Sequence, residues 1–533
     1  MKRTVTFSII LILLGAIGTS CLCAKPTPPP TLTPVPDVIV DGAITYQTID
    51  GFGACGAFKA ASHIHGSTGL SPDQQKAVLD LLFSPTTGAG LSIWRNEIGS
   101  SRTAAVGGPD DGDNVPSIEP TDPGSPDAPP DYFWDGNDGD QVWLSQQAQS
   151  YGVTQFYATA WGAPAYMKTN NDLKHGGYLC GVPGQTCDSG DWRQHYADYL
   201  VQYLQFYQEA GVEIDYIGFQ NEPDLSPDYT SMNWDASHVY GDRGRIDFST
   251  PQNIDFIKNY LGPTLARSGL STKIACCDAT SWPRTTTYAN GVLADPEARD
   301  YIGLITGHGY YATTAGMLGA DPVVSAIDAG KPVWQSEAAI FDTWNATWDS
   351  GNRESSGIHW AEVLWDSLVN TQVNAYFYWW GAKAYESDIA AANSPLIKIV
   401  EDTYEPSKRL WAFANYSRFI RPGATRIDAS NCKSNLRVSA FRNTDGSYAI
   451  VVLNLGYADD TVIFSLQNVT AGDSAVSYLT NETNDTAQQP SITISDGTFI
   501  TGVPARSLMT FHIKKSKNES GCVTSQAATL TVK

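Results

Sequence analysis

Two glutamates stand where paired-carboxylate chemistry needs them. In IDYIGFQNEP, residues 214–223, an alternating apolar segment runs directly into Asn221, Glu222 and Pro223. Proline cannot continue a hydrogen-bond ladder, so the strand stops and Glu222 is left at its C-terminal end. In KPVWQSEAA, residues 331–339, Val333 and Trp334 form a short strand and Glu337 falls at its end. Two carboxyl groups so placed can divide the cleavage of a glycosidic bond. One protonates the leaving oxygen and, in retaining chemistry, the other attacks the anomeric carbon from roughly 5–5.5 Å away. Asn221 adds an amide able to donate to the hydroxyl beside the reacting carbon. A single glutamate at a strand end is more often a helix cap or half of a surface ion pair. Two of them, with Asn221 and Pro223 beside the first, fit that explanation poorly.

The elements that must position this pair are strands alternating with helices. Strand candidates end near Gly53, Gly99, Gly162, Glu222, Ala279, Tyr310, Glu337 and Trp380. Helices are expected between most of them, at about 191–210, 251–268, 320–329 and 355–370. The clearest begins at Ser71, where Pro72 and Gln74 complete a capping box and Val78, Leu81 and Leu82 share one face. Eight such units predict an α/β fold, a (β/α)8 TIM barrel over residues 38–420, whose strands carry their chemistry at the C-terminal ends. Glu222 and Glu337 then sit on the fourth and seventh strands, facing across the mouth. Residues 107–131, rich in Gly, Asp and Pro, predict a long loop on that face. After about residue 421 the rhythm changes to short β-branched segments such as NLRVSAF, YAIVVLNL and SLMTFHI. Residues 421–533 are therefore expected to form a side antiparallel β-sandwich domain.

Composition narrows the setting. The net charge of −22 disfavours nucleic acid and anionic membrane surfaces as partners. Aromatics reach 11%, and Trp and Tyr pack well on the flat faces of sugar rings. Lys2, Arg3 and an apolar run from Val5 to Ile17 read as a secretory signal over residues 1–24, too short to span a membrane. Cys21 follows small residues, and an alternative to cleavage and release is a lipid anchor at that cysteine. Residues 25–37, rich in Pro and Thr, read as an extended linker. Nine cysteines fit an oxidising compartment. Cys180 and Cys187 could close a Gly-rich loop, and Cys432 and Cys522 could tie down the tail. Cys276 and Cys277 read as buried thiols. Spacings such as Cys-x-x-Cys or His-Glu-x-x-His do not occur, so no metal and no cofactor is expected.

The chain resembles glycoside hydrolase family 30. The matching pieces are IDGFGACGAF (49–58), LSIWRNEIG (91–99), ATAWGAPAYMK (158–168), GFQNEP (218–223), GHGYY (307–311), WQSEAA (334–339), YFYWW (376–380) and RFIRPGATRI (418–427). Each is weak alone; eight in order are specific. The resemblance implies that Glu222 is the acid/base and Glu337 the nucleophile. It implies that Asn221 holds the 2-hydroxyl and that Arg95 keeps the nucleophile ionised. Trp161 and one of Trp379 or Trp380 would wall the reacting-sugar subsite, and His308 with Tyr310 would orient the nucleophile and the ring oxygen. The family also begins its side domain before the barrel, so 38–47 is expected to join it as a strand. Within the family the chain looks most like the fungal-type xylanases, which implies a secreted, monomeric enzyme acting on xylan or glucuronoxylan. Some of those enzymes hold the glucuronic acid branch with an arginine where this chain has Ala60, next to Lys59. Glu97, at the end of the second strand, is a further candidate, able to cap a terminal sugar and favour release of xylobiose. Rival readings are a β-1,6-glucanase, β-1,6-galactanase or glucosylceramidase-like enzyme on this fold, and a glycan-binding protein without catalysis.

Overall fold

The computed structural model describes residues 35–66, 68–101, 115–237, 243–310, 317–340, 344–350, 353–384 and 395–515. The signal segment, the linker up to residue 34 and Cys522 lie outside them, as does 107–114 of the predicted loop. Among the described residues no helix is long and apolar enough to cross a membrane.

Eight parallel strands close a barrel: Gly51–Cys55, Ile93–Ile98, Gln155–Ala160, Tyr216–Gly218, Lys273–Ala279, Ile302–His308, Val333–Glu337 and Ala375–Trp380. The eighth returns to the first, with Ala375 opposite Gly51 and Tyr378 opposite Ala54. Three are buried along their whole length and the other five at all but one residue, because helices and loops cover a barrel outside while side chains fill it inside. Ile93, Tyr157, Leu304, Trp334 and Phe377 fill the interior. The Trp334 ring lies 5.5 Å from Phe377 and 6.3 Å from Tyr157. Gly53 makes this fit: a Cβ there would lie 2.6 Å from the Phe377 ring and 2.9 Å from the Ile93 carbonyl oxygen. A filled barrel leaves its mouth as the place for chemistry.

The helix predicted from Ser71 runs Pro72–Phe83, and Ser71 and Gln74 make both bonds of the capping box. Its buried face is Val78, Leu79, Leu82 and Phe83; Leu81, expected on that face, is only half-buried. The 251–268 prediction is one helical run with a π turn at Ile257–Leu261, just before Pro263, whose missing N–H a regular α turn would need. The 320–329 prediction shortens to Val324–Asp328. Helices Gln141–Ser150, Trp282–Ala294 and Lys408–Ser417 complete the coat.

The second layer system is a ten-stranded sheet whose core includes Val438, Ile450, Val452, Phe464 and Phe511. Its first strand, Val38–Ile49, precedes the barrel in the chain, as the resemblance implies. That strand pairs antiparallel with Ala424–Asn431 but parallel with Asp460–Gln467, the exception in an otherwise antiparallel sheet.

Cys180 and Cys187 form a disulfide. Cys276 and Cys277 are joined to each other, which corrects the reading of two buried thiols. Cys432 is exposed and has no disulfide partner among the described residues. The described part of the 107–131 loop is anchored: the buried Glu119 carboxylate meets His195 Nε2 at 2.9 Å.

Candidate active site

The fourth strand ends at Gly218, so Glu222 stands on the turn beyond it rather than in the strand. Its φ of 46° and the bond from its N–H to the Asp278 carbonyl, 2.9 Å, fix that turn against the fifth strand. Glu337 is the last residue of the seventh strand. A carboxylate oxygen of each glutamate and a ring nitrogen of His308 all lie within 4.8 Å of one another. Both glutamates are buried.

Charge holds the two apart and in place. Arg95, fully buried on the second strand, donates from Nη1 to Glu337 at 2.5 Å and from Nη2 to Asn221 Oδ1 at 2.7 Å. Asn221 is thus aligned by the same guanidinium that meets Glu337. His308 Nδ1 donates to Glu222 Oε1 at 3.2 Å, while Nε2 lies 3.6 Å from Glu337 and 3.7 Å from Asp278. Burial opposes the His308 cation, but Glu337, Asp278 and Glu222 outweigh it and lift its pKa to about 10. Burial raises the Glu337 carboxyl, while His308 and Arg95 pull against that rise. Ligand-type atoms at this spacing could also suit a cation; the His308 imidazolium already puts positive charge between the carboxylates.

Sequence reasoning passed over two residues here. Asp278, at the end of the fifth strand, is buried beneath the site. Its Oδ1 accepts from Ser336 Oγ at 2.5 Å, its Oδ2 accepts from the Tyr157 hydroxyl, and Arg95 Nη2 stands 3.5 Å away. Burial works to raise its carboxyl, but Arg95 and His308 hold it well below the usual carboxylate range. Asp278 displays the signal that found Glu222 and Glu337, a carboxylate ending an apolar strand. Tyr229, whose hydroxyl donates to Glu222 Oε2, has no such signal, because only the folding of a loop returns it to Glu222.

The aromatic candidates divide. Trp161 is buried, with the Arg95 guanidinium 4.7 Å above its ring, and faces Trp379 at 5.7 Å. Trp380 stacks behind Trp379 and donates from Nε1 to the Ala57 carbonyl at 3.2 Å. Phe58 lies between, within 5.6 Å of Trp161 and 5.5 Å of Trp379. Tyr310 is buried beside His308, ring centres 5.8 Å apart, and its hydroxyl is raised by burial and by Glu337. Glu97 lies at the rim, on the inward face with Arg95. It is fully buried and accepts from the Phe58 N–H at 2.8 Å, holding a turn in which Phe58 and Lys59 both adopt left-handed backbone angles.

The His308 environment predicts a pH dependence of stability. A histidine free in the unfolded chain titrates near 6.5. With the folded value near 10, its contribution is complete below pH 6.5 and is lost as pH rises towards 10. The wild-type Tm should therefore fall between pH 7 and 10 more steeply than that of His308→Gln. Parallel Tm curves for the two proteins would refute the charged assignment.

The family model described as O-glycosyl hydrolase family 30 matches residues 36–391, and that for the glycosyl hydrolase family 30 β-sandwich domain matches residues 423–511. The structure is similar to the catalytic domain of GH30 xylanase C from Talaromyces cellulolyticus, with 39% identity and a TM-score of 0.76 over 90% of this chain and 100% of that one. The chain is 26% identical over 323 residues to the glucuronoxylanase XynC of Bacillus subtilis, covering 60% of this chain and 66% of that protein. It is also 26% identical over 432 residues to the endo-1,6-beta-D-glucanase neg1 of Aspergillus fumigatus, covering 76% and 78%.

Proposed function

Because the chain belongs to O-glycosyl hydrolase family 30, we propose that this glycoside hydrolase is a secreted xylanase that cuts within the chain of xylan or glucuronoxylan and retains anomeric configuration. The observation that carries the mechanism is the approach of Glu222 and Glu337 carboxylate oxygens to within 4.8 Å across His308. Inverting enzymes keep their carboxyl groups roughly 6.5–9.5 Å apart to admit a water, and retaining enzymes do not. Glu337, whose ionised form His308 and Arg95 favour against burial, attacks the anomeric carbon while Glu222 protonates the departing oxygen. The glycosyl-enzyme ester removes the charge on Glu337, and with it the repulsion on Glu222, which then takes a proton from the attacking water. Asn221, aligned by Arg95, meets the neighbouring sugar hydroxyl, and Trp161 with Trp379 packs on the ring.

Xylan is favoured as substrate by the 39% identity to a xylanase catalytic domain. Internal cutting is favoured because Glu97, the candidate cap for a chain end, is fully buried with one carboxylate oxygen already taken by the Phe58 N–H. Recognition of an acidic branch would fall to lysines rather than arginine. Lys383 Nζ lies 3.4 Å over the Trp380 ring and 5.5 Å from that of Phe58, and Lys59 follows Phe58 directly. Secretion is supported by the leader-like first residues and by the Cys180–Cys187 disulfide.

The test is the product profile on glucuronoxylan, unbranched xylan and β-1,6-glucan, read by mass spectrometry with proton NMR of the first product. Both xylans should yield mixed oligosaccharides appearing first as the β-anomer. Products from β-1,6-glucan alone would refute xylan as substrate, and an initial α-anomer would refute retention.

A further inference from the structure

Beyond the catalytic pair the mouth carries a second feature that the mechanism does not use. A cleft of about 720 Å³ lies between the loop after the third barrel strand and the loop after the fourth. That volume is within the usual range of ligand clefts, about 300–1,000 Å³. One wall is Tyr178 to Gln185, a Gly-rich stretch clamped by the Cys180–Cys187 disulfide. The Tyr178 hydroxyl donates to the Ala236 carbonyl, which fixes its ring across the gap. The opposite wall is a β-hairpin pairing Ala236–Ser237 with Arg245–Ile246, followed by a tight turn. In that turn Asp247 Oδ1 accepts from the Ser249 N–H at 2.9 Å and from its hydroxyl at 2.7 Å. Between them Phe248 projects outward and is 72% exposed.

A single exposed aromatic is ordinary on a protein surface, but this one lines a cleft. With Tyr178, the Gln185 amide and the Arg245 guanidinium lining the same cleft, Phe248 gives it aromatic rings beside polar groups, the chemistry that suits a sugar ring. The hairpin is joined to the acid's own turn: Trp234 N–H donates to the Pro223 carbonyl at 3.3 Å, and Gly244 N–H to that of Asp224 at 3.1 Å. Glu222 protonates the leaving oxygen, so the loop that carries it borders the leaving-group side.

We propose that this cleft binds neutral β-linked sugar units of the substrate on the leaving-group side of the cut. The proposal rests on Glu222 being the acid. It predicts that a longer chain is gripped beyond the bond that breaks.

Xylohexaose labelled at its reducing end tests this with wild type, Phe248→Ala and Gln185→Ala. The label leaves with the departing fragment. Phe248→Ala should lower kcat/KM on the hexasaccharide about tenfold, the scale of one stacking contact. Labelled fragments should also shorten as binding shifts towards the reducing end, with Gln185→Ala shifting them in the same direction. Unchanged fragments and kcat/KM in both variants would overturn the subsite while leaving the xylanase assignment standing. A wild type that does not cut xylohexaose would overturn the substrate instead. The same variants are then compared on a labelled oligosaccharide of the glycan that wild type cuts, and unchanged fragments there overturn the subsite. Loss of branched acidic products in Arg245→Ala, with Phe248→Ala silent, would overturn the assignment to neutral sugars.

Discussion

Glu222→Ala and Glu337→Ala should both lose nearly all activity on xylan, yet answer added azide with products of opposite configuration. Without Glu222 the leaving oxygen departs unprotonated, and loss of a general acid costs about 10²–10⁴-fold. Glu337 still attacks, so a glycosyl-enzyme forms and then waits for a base that is missing. Azide needs no base. On an aryl xyloside, whose leaving group departs without an acid, it fits the space vacated by the carboxylate, attacks the ester and gives a β-glycosyl azide at a restored rate. Without Glu337 no ester forms, and the loss should reach about 10⁴-fold or more, as when a catalytic nucleophile is removed elsewhere. Azide can then enter only where Glu337 stood, and one displacement gives the α-glycosyl azide. NMR of the two azides distinguishes the roles. A β-azide from Glu337→Ala, or no azide response in Glu222→Ala, would reverse or remove the assignments. Both variants should keep the wild-type fold, since each deletes one carboxylate from a crowded anionic site and leaves the strand intact.

The residues also show how far a sequence discloses such a site. The eight barrel strands were readable because a strand buried on both faces must be an apolar run, and the carboxylates following two of those runs stand out. Asp278 ends the fifth run in the same manner. Its neighbours Cys276 and Cys277 drew the reading towards a buried thiol pair, and strand position says nothing of a partner on another strand. Glu97 shows the converse. It shares the inward face with Ile93 and Arg95, which sequence periodicity gives correctly. Whether an inward group at the rim meets substrate depends on what folds over it, and here the Gly56–Lys59 turn takes its oxygen. Leu81 lost its expected burial because the helix packs through Leu79 and Phe83, a rotation that depends on the neighbouring elements. Tyr229 and the Phe248 cleft are made by loops, whose paths are set by distant bonds such as that from Gly244 to Asp224.

Asp278→Asn should damage both stability and the pH profile, and the second effect identifies its role. The site holds two cations, Arg95 and His308, among three carboxylates that lie in a buried space. Asp278 is the one placed too deep to meet substrate, and it balances the cations from below. Replacing it with a neutral amide leaves Arg95 and His308 less compensated, and breaking a buried pair in this way costs about 3–5 kcal/mol. Because the folded-state carboxyl is held below its free value, this stability is present above pH 4 and fades on acidification. The mutant deficit should therefore be large at pH 7 and shrink towards pH 3. Glu337 responds as well. With less negative charge nearby, Arg95 and His308 bear more strongly on Glu337, so its proton leaves at lower pH and its bond to Arg95 tightens. The acid limb of kcat/KM against pH should move to lower pH, while kcat falls because a more stabilised carboxylate attacks more slowly. Ser336→Ala, which deletes one hydrogen bond to Asp278 and no charge, should leave that limb where it is. If Asp278→Asn lowers Tm but leaves the acid limb in place, Asp278 is a packing residue. If the limb moves to higher pH, the balance of charge around Glu337 is the reverse of the one described.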